Sequence, residues 1–440
     1  MRVLKVISIL LIGCMLIEEK AFAITDNVDI SHLTLAEAQK LFRSNNRELL
    51  AAQRALQATE ADAITAGQKP NPSLSIGVSS FNLNRKEGNR NSVNNSNSLQ
   101  DQTLNSTVQI SQLFERGDKR ELRIASADNA VKASRYDLKD TERQWSLMLN
   151  NTFYDLLLAQ ELEKIQTANV GLYEKTFQAA SLRLRAGDIA SSDVSRIQVD
   201  LLKTKNDLRQ SQAERQKAQS NLAYLIGRES EASNINATDN WPDGGQITQN
   251  NIEVNINQRP DLLAAEARAK QAEENNKLAN ALKTRDINIA LQYQHFPGQM
   301  PAAGENTIGA AISIPLFTNY EYQGEIARAQ VDLTAAQEAK DQIHAAALSE
   351  VKRANADLQA ATEKLARFDQ QILTEAQKSA DAAEFAYSHG ATGITDLLDA
   401  RRVLRAIQLD AATVRADYAK ALAAWKAAIS AQEEFNASGQ

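Results

Sequence analysis

The chain has 440 residues, more than one ordinary compact domain holds, so two or three units are expected. A net charge of −6 without any basic run excludes a nucleic-acid-binding surface, and aromatic residues at 5% leave little for base stacking. Prolines and glycines are few for this length, so turns are rare and the elements between them are long.

Residues 1–23 read as an export signal. Arg2 and Lys5 form the charged start, an apolar run follows from Val6, and Ala21-Phe22-Ala23 is a small-x-small cleavage site. Leu11-Ile12-Gly13-Cys14 also resembles a lipoprotein box, which would cut before Cys14 and lipidate it, and both processing routes stay open. Cys14 is the only cysteine, so the mature chain carries no disulfide. No later apolar run is long enough for a transmembrane helix.

Beyond the signal the chain is written twice. Glu48-Leu49-Leu50-Ala51-Ala52 returns as Asp261-Leu262-Leu263-Ala264-Ala265, Leu113-Phe114 returns as Leu316-Phe317, and Gly187 returns as Gly390. The first pair is separated by 213 positions and the later pairs by 203, so the first copy carries ten extra residues between them. They fall in the Asn/Ser-rich stretch Asn82 to Gln102, whose counterpart HFPGQMPAAGENT is shorter. A surface loop tolerates such a difference. The repeats define units at 24–227 and 258–435, with a linker at 228–257 and a tail at 436–440.

Short segments with period-2 alternation flank this connection in each copy. Leu74, Ile76 and Val78 alternate with small or polar residues, as do Val108 and Ile110. In the second copy Ile287, Ile289, Leu291 and Tyr293 do so, followed by Ile308, Ala310, Ile312 and Ile314. Each segment is about ten residues long, the length of a transmembrane β-strand. The alternation by itself fits equally well two hairpins lying on a soluble helical core.

The remainder reads as helix. In the first copy Leu149, Leu156, Val170, Phe177 and Leu184 share one seven-residue register, broken at Glu163. In the second, Val351, Leu358, Leu365 and Ile372 repeat the pattern. Such seams pack helices side by side. About seventy helical residues would be about 105 Å long, more than a compact domain needs. The seams are rich in Ala and polar residues, which predicts a thin wall of helices. Gly187 and Gly390 end the long helices, since glycine supplies the left-handed residue of a helix terminus. Ser192-Asp193 and Thr395-Asp396 then stand where N-cap and first-turn residues belong. Each copy is therefore a strand pair followed by a helical hairpin.

Four strands cannot close a barrel, and open sheet edges do not survive in lipid. Several copies would have to share one barrel: two chains give eight strands and three give twelve, and twelve begins to leave a bore. A barrel continued by a hollow helical cylinder is a conduit; the other reading of long helical hairpins is a periplasmic coiled-coil adaptor, which normally has one hairpin where this chain has two. The expected class is mostly α with a small β part.

AYSHGATGITDLLDA, Ala386 to Ala400, with its weaker echo AGDIASSDVSR, resembles the hairpin-tip motif of the TolC family of trimeric outer-membrane channels. The resemblance runs from about Leu35 to Ala428. QRPDLLAAEARAKQAE and ISIPLFTNYEYQGEIARAQ are similar to the CzcC-type branch, which serves divalent metal export. The alternative reading gives the same conduit drugs or a secreted protein as cargo. The resemblance implies a homotrimer with a 12-stranded barrel in outer-membrane lipid, a periplasmic adaptor protein and an inner-membrane RND-type pump. It implies that Asp396 and Asp399 form carboxylate rings at the closed periplasmic end, and that Asp193 and Tyr387 hold neighbouring hairpins shut. It also implies an adaptor-contact surface at Gly187, Asp188, Ile189, Gly390, Ala391 and Thr392. The family's tip arginine is replaced here by Thr392, so one salt bridge of that lock is missing. Apart from the resemblance, Asp193 and Asp396 also read as ordinary first-turn acids and Tyr387 as a core-facing aromatic. His32, His295, His344 and His389 are scattered without ligand spacing, so no metal site is expected. No catalytic motif appears, so the protein is expected to be neither an enzyme nor cofactor-bearing.

Overall fold

The computed structural model describes residues 28–79, 105–243, 256–296 and 306–429. The signal segment, Cys14, the extended Asn82 to Gln102 connection and the tail lie outside the described residues. The first repeat opens with helices α1 (Leu35–Asn45) and α2 (Arg47–Ala66). A capping box starts α1: Glu37 N–H donates to Thr34 Oγ1 at 3.3 Å, and Thr34 N–H donates to Glu37 Oε2 at 2.9 Å. Strands β1 (Ser73–Ser79) and β2 (Asn105–Phe114) follow, then the long helix α3 (Lys119–Ala186) and the returning α4 (Ser191–Ile226). The second repeat gives α5 (Pro260–Ala281), β3 (Ile287–His295), β4 (Asn306–Ser313), α6 (Gln323–Arg367), α7 (Leu373–Ser388) and α8 (Ile394–Ile429). At 68 residues, α3 is about 100 Å long.

The four strands form one antiparallel sheet in the order β1-β2-β3-β4, so the two repeats join through β2 and β3. The register aligns two rows of mostly apolar positions. Ile76 faces Val108, Val108 faces Tyr293 and Tyr293 faces Ile308; Leu74, Ile110, Leu291 and Ala310 form the neighbouring row. This apolar face is bare: Ile76 is 71% exposed, Ile308 84% and Ile312 70%. The small and polar positions of β2 and β3 are the more covered ones, so the polar face is the inner curve of the sheet. Among the described residues no helix is long and apolar enough to cross a membrane.

The helices make a wall, with its largest buried cluster where α1 and the end of α4 pack against the middle of α3. Leu33, Leu41, Phe42, Leu149, Phe153, Leu156, Leu222, Ile226 and Ile235 are all nearly or fully buried there. The expected seams are met in part: Leu149 and Leu156 lie in this cluster and Val351, Leu358 and Leu365 are buried on α6, whereas Val170, Phe177 and Leu184 are only half-buried and Tyr173 and Ala180 are the buried positions of that stretch. Glu163, where the first seam breaks, pairs with Arg215 of α4 at 2.9 Å. The second seam departs from a continuous helix. A π turn, Phe368–Ile372, separates α6 from α7 and takes in Ile372. The wider turn shifts the rows of side chains that follow, so α7 buries only Ala380.

An equivalent clamp closes each repeat. Asn46 caps α2 and is buried, and its Nδ2 donates to Leu225 O in the last turn of α4 at 3.1 Å. In the second repeat Arg259 precedes α5 and its Nη1 donates to Ala428 O in the last turn of α8 at 2.8 Å. Leu225 and Ala428 are 203 positions apart, the spacing of the repeat. Arg259 is also held by Asp261 (3.1 and 2.7 Å) and Glu350 (2.8 Å), and Arg143 of α3 donates to the adjacent Ala427 O at 3.2 Å. Burial opposes the charge on Asp261, but the Arg259 bonds and the neighbouring guanidinium charges outweigh it and hold its carboxyl below the usual carboxylate range.

Because Arg259 is almost fully buried, Arg259→Leu leaves Asp261 and Glu350 with only their longer contacts to Arg143 and should cost about 3 kcal/mol, read as a lower Tm at neutral pH. The depressed Asp261 pKa fixes the sign of the pH effect. Its stabilisation is present above the ordinary carboxylate pKa of about 4 and is lost as pH falls through the lower folded value. The Tm gap between the parent protein and Asp261→Asn should therefore be full at pH 7 and shrink below about pH 4. A gap independent of pH would contradict this assignment.

Candidate functional site at the hairpin tips

Both hairpins reverse through the same backbone device. Gly187 has φ +83° and Gly390 φ +72°, each in the left-handed region. Gly187 N–H donates to Leu184 O (3.0 Å) and Asp188 N–H to Arg183 O (2.9 Å). Gly390 N–H donates to Tyr387 O (3.1 Å) and Ala391 N–H to Ala386 O (2.9 Å). These paired bonds satisfy the last carbonyls of α3 and α7 in the same way. A Cβ at either glycine would meet nothing within 4 Å, so backbone conformation, not space, demands glycine there.

The two tips share one apolar cluster. Tyr173 and Ala180 of α3, Val194, Ile197 and Leu201 of α4, and Ile394, Leu397 and Leu398 of α8 are buried together. Ile189 is half-buried against it, whereas Gly187, Asp188, Gly390, Ala391 and Thr392 are exposed. The sequence expectation for the start of α4 needs one correction. Ala190 is the N-cap and makes no side-chain capping bond, so Ser192 and Asp193 both lie inside the first turn. In α8, Thr395 and Asp396 occupy the corresponding first turn.

Asp396 is exposed, and so is Asp399, which pairs with Arg402 at 2.8 Å. Asp193 is half-buried. Tyr387 is half-buried, and its hydroxyl accepts from Arg183 Nη1 at 3.2 Å while the same guanidinium lies 5.5 Å from its ring. Among the described residues no hydrogen bond joins Asp193 to Tyr387 within one chain.

An ion-pair ladder that sequence reasoning missed binds α4 to α8 above the tip. Arg402 holds Asp200 at 2.7 and 3.0 Å, and Arg405 holds Asp207 at 2.7 Å. Arg401 is buried, and reaches Thr176 of α3 at 2.6 Å and Glu384 of α7 at 3.2 Å. A signal for the ladder was present: Asp193, Asp200 and Asp207 recur every seven residues, as one stripe along α4. Burial opposes the charge on Arg402, yet the Asp200 bonds and charge raise its pKa further. Burial, then the Asp200 charge, pushes the Tyr173 phenol up. Among the described residues no group of His, Cys, Asp and Glu is placed to hold a metal ion.

Comparison with known proteins identifies the family. The sequence pattern of the outer membrane efflux proteins matches residues 39–228 and 252–431, and the chain belongs to that family. It is an outer-membrane channel protein with a long periplasmic helical wall, and not an enzyme. The cobalt-zinc-cadmium resistance protein CzcC of Cupriavidus metallidurans is 26% identical over 84% of each chain. The pyoverdine export outer membrane protein OpmQ of Pseudomonas aeruginosa is 22% identical over 84% of this chain and 79% of its own. The crystal structure of CusC, a transmembrane channel, superposes with a TM-score of 0.76 at 17% identity, covering 90% of this chain and 91% of that one.

Loss of the ladder should loosen the tip without unfolding the wall. Arg402→Ala removes the partner of both Asp200 and Asp399, and amide exchange over residues 194–204 and 394–405 should quicken. Unaltered exchange in those segments would show that the ladder does not hold the tips.

Proposed function

We propose that the protein is the outer-membrane duct of a three-part efflux system and passes divalent heavy-metal cations outward. The observation that carries the metal reading is the likeness to CzcC over most of both chains. The chain acts as a passive conduit; a periplasmic adaptor and an inner-membrane RND-type pump supply the energy and load the cargo. Three copies pool four strands each into a twelve-stranded barrel, supported by the bare apolar face and by the unpaired outer edges of β1 and β4. Residues 24–227 and 258–435 form the two structural repeats, 228–257 links them, and 436–440 is a tail. Cys14 is either lipidated or removed with the signal segment.

In this reading the tips are the gate. With threefold symmetry Asp396 and Asp399 contribute six carboxylates around the periplasmic opening. Such a ring attracts cations and can bind a blocking one. Asp399 is restrained by Arg402 and Asp396 is free of such a partner among the described contacts, so Asp396 carries the larger share of the field. Asp193 and Tyr387 act between neighbouring protomers, and Arg183 positions the Tyr387 hydroxyl for that contact. The exposed residues Asp188, Gly390, Ala391 and Thr392, with Gly187 and the rim of Ile189, present the adaptor surface.

The pyoverdine-exporting relative supports a second reading, in which the same duct carries organic compounds. A strain lacking the protein separates the two. Growth should fail on cobalt, zinc or cadmium salts and remain normal on dyes, bile salts and antibiotics. Sensitivity confined to the organic compounds would overturn the metal reading and leave the duct. At the gate, Asp396→Ala combined with Asp399→Ala should weaken trivalent-cation block of current across planar bilayers by about tenfold or more. Unchanged block would remove the carboxylate ring from the account.

A further inference from the structure

The joint between sheet and helices carries charges that are unevenly neutralised. The register of β2 and β3 ends with Phe114 facing Ile287. The two chains stay side by side beyond it: a Cβ at Gly117 would stand 2.7 Å from the Cβ of Thr284, the residue opposite when the same register is continued. Glu115 therefore faces Asp286, and Arg116 faces Arg285. Successive residues point to opposite faces, so the acidic pair belongs to the polar side. The arginine pair continues the apolar column that ends at Phe114 and Ile287.

Like charges directly opposite one another destabilise a sheet, and only one of these pairs is neutralised. Glu115 accepts two bonds from Arg123 of α3, at 2.5 and 2.8 Å. Asp286 accepts from Lys119 Nζ at 2.8 Å and from the Arg116 N–H at 3.0 Å. Arg116 and Arg285 are exposed, and among the described residues neither guanidinium has a carboxylate partner. Arg285 lies over the Phe317 ring at 5.3 Å. Stacking holds one face of its guanidinium and leaves the N–H edge, the part that reads phosphate, uncommitted.

Outward positions along a strand are about 7 Å apart, so the arginines stand one step beyond the last apolar row. Helices begin on this side, and long cationic side chains there reach from hydrocarbon to the level of the headgroups. We propose that Arg116 and Arg285 together bind the phosphodiester of an anionic glycerophospholipid in the leaflet nearest the helices, with its acyl chains along Phe114, Ile287 and Ile289. The lipid supplies the counter-charge that the protein does not, through the bidentate bonds that guanidinium forms with phosphate. The repeat equivalents of Arg116 and Arg285 are Asn319 and Pro72, so the pair exists only where β2 and β3 join the two repeats. It anchors that joint at a fixed depth. The inference rests on the reading that the bare face of the sheet meets lipid.

Tryptophan quenching by brominated lipid tests the site and that reading separately. Phe114→Trp reports the rim, and Ile76→Trp a row farther from the helices. Each is compared with the parent protein, whose own tryptophans set the background, in phosphatidylcholine bilayers carrying dibrominated phosphatidylglycerol or dibrominated phosphatidylcholine. Ile76→Trp should be quenched by both lipids alike. Phe114→Trp should be half-quenched at an about fivefold lower fraction of the glycerol lipid than of the choline lipid. Arg116→Gln with Arg285→Gln should erase that preference while Ile76→Trp stays quenched in the same background. Lys69→Gln with Lys283→Gln, which removes two other exposed cations near this end, should keep it. Inorganic phosphate at constant ionic strength should leave it unchanged.

Equal quenching of Phe114→Trp by the two lipids, or a preference that survives the double arginine change, would overturn the site and leave the sheet in lipid. So would a preference lost equally with the two lysines, which would mean a diffuse basic rim. Abolition by inorganic phosphate would assign the pair to the free anion and overturn the lipid. Absence of quenching at Ile76→Trp by either lipid would place the sheet outside the membrane and sink the conduit reading along with the inference.

Discussion

A β-sheet with one apolar face and two unpaired edges cannot stand alone in a membrane, and most of this structure follows from that constraint. Each edge presents backbone N–H and C=O groups that hydrocarbon cannot satisfy, at several kcal/mol apiece by general estimates. Four strands are too few to curl and pair β4 with β1 within one chain. The edges need strands from other copies, and the fold is complete only as an assembly. The same constraint explains why the helices can make so thin a wall. Exposed apolar residues along them, such as Ile64 of α2, Val199 and Leu202 of α4 and Phe385 of α7, suit contacts with neighbouring protomers.

Duplication supplies the rest of the economy. One unit, a strand pair followed by a helical hairpin, is used twice and joined through β2 and β3. Each copy ends its long helix at a left-handed glycine and fastens its returning helix to the start of the repeat. The fastenings are equivalent in position and different in strength. Asn46 uses one neutral amide, whereas Arg259 is a buried cation between two carboxylates. A charged clamp costs more to desolvate and is strongly destabilising when half of it is removed. The second repeat is thus pinned at the sheet-proximal half of the wall; beyond the π turn α7 buries only Ala380, and the tip is held through Ile394, Leu397 and Leu398 of α8 and the ion pairs of α8 to α4.

Much of this was legible because it is written as local pattern. Period-2 alternation marked all four strands, within a residue or so for β1, β3 and β4 and three residues short of Phe114 for β2, since the two faces of the sheet meet different surroundings. Gly187 and Gly390 were legible because few other residues adopt a positive φ without cost. Contacts between distant residues were hidden. Arg259 is an ordinary charged residue in sequence, and its burial depends on Glu350 and Ala428, far along the chain. The pairing of Arg402 with Asp200 depends on how α4 and α8 cross, although the seven-residue acidic stripe hinted at it. The π turn has no proline or glycine to announce it; Phe368–Ile372 reads as plain helix, and only packing around it selects the wider turn. The gate and adaptor roles of the tip residues came from a family resemblance, not from chemistry visible in the chain, and the contact of Arg183 with Tyr387 had no signal in the sequence.

The most direct test of the central claim, that the sheet closes only by sharing a barrel with two other copies, is cross-linking between its edges in the membrane. Ser75→Cys on β1 and Ala311→Cys on β4, both on the polar face, would be combined in a Cys14→Ser background. A bis-maleimide long enough to tolerate register differences would then be added to isolated outer membranes. A ladder of covalent species ending at three chains, absent from either single variant, is the result the account predicts. A ladder ending at two, or only monomers from protein recovered in the outer membrane, would contradict it.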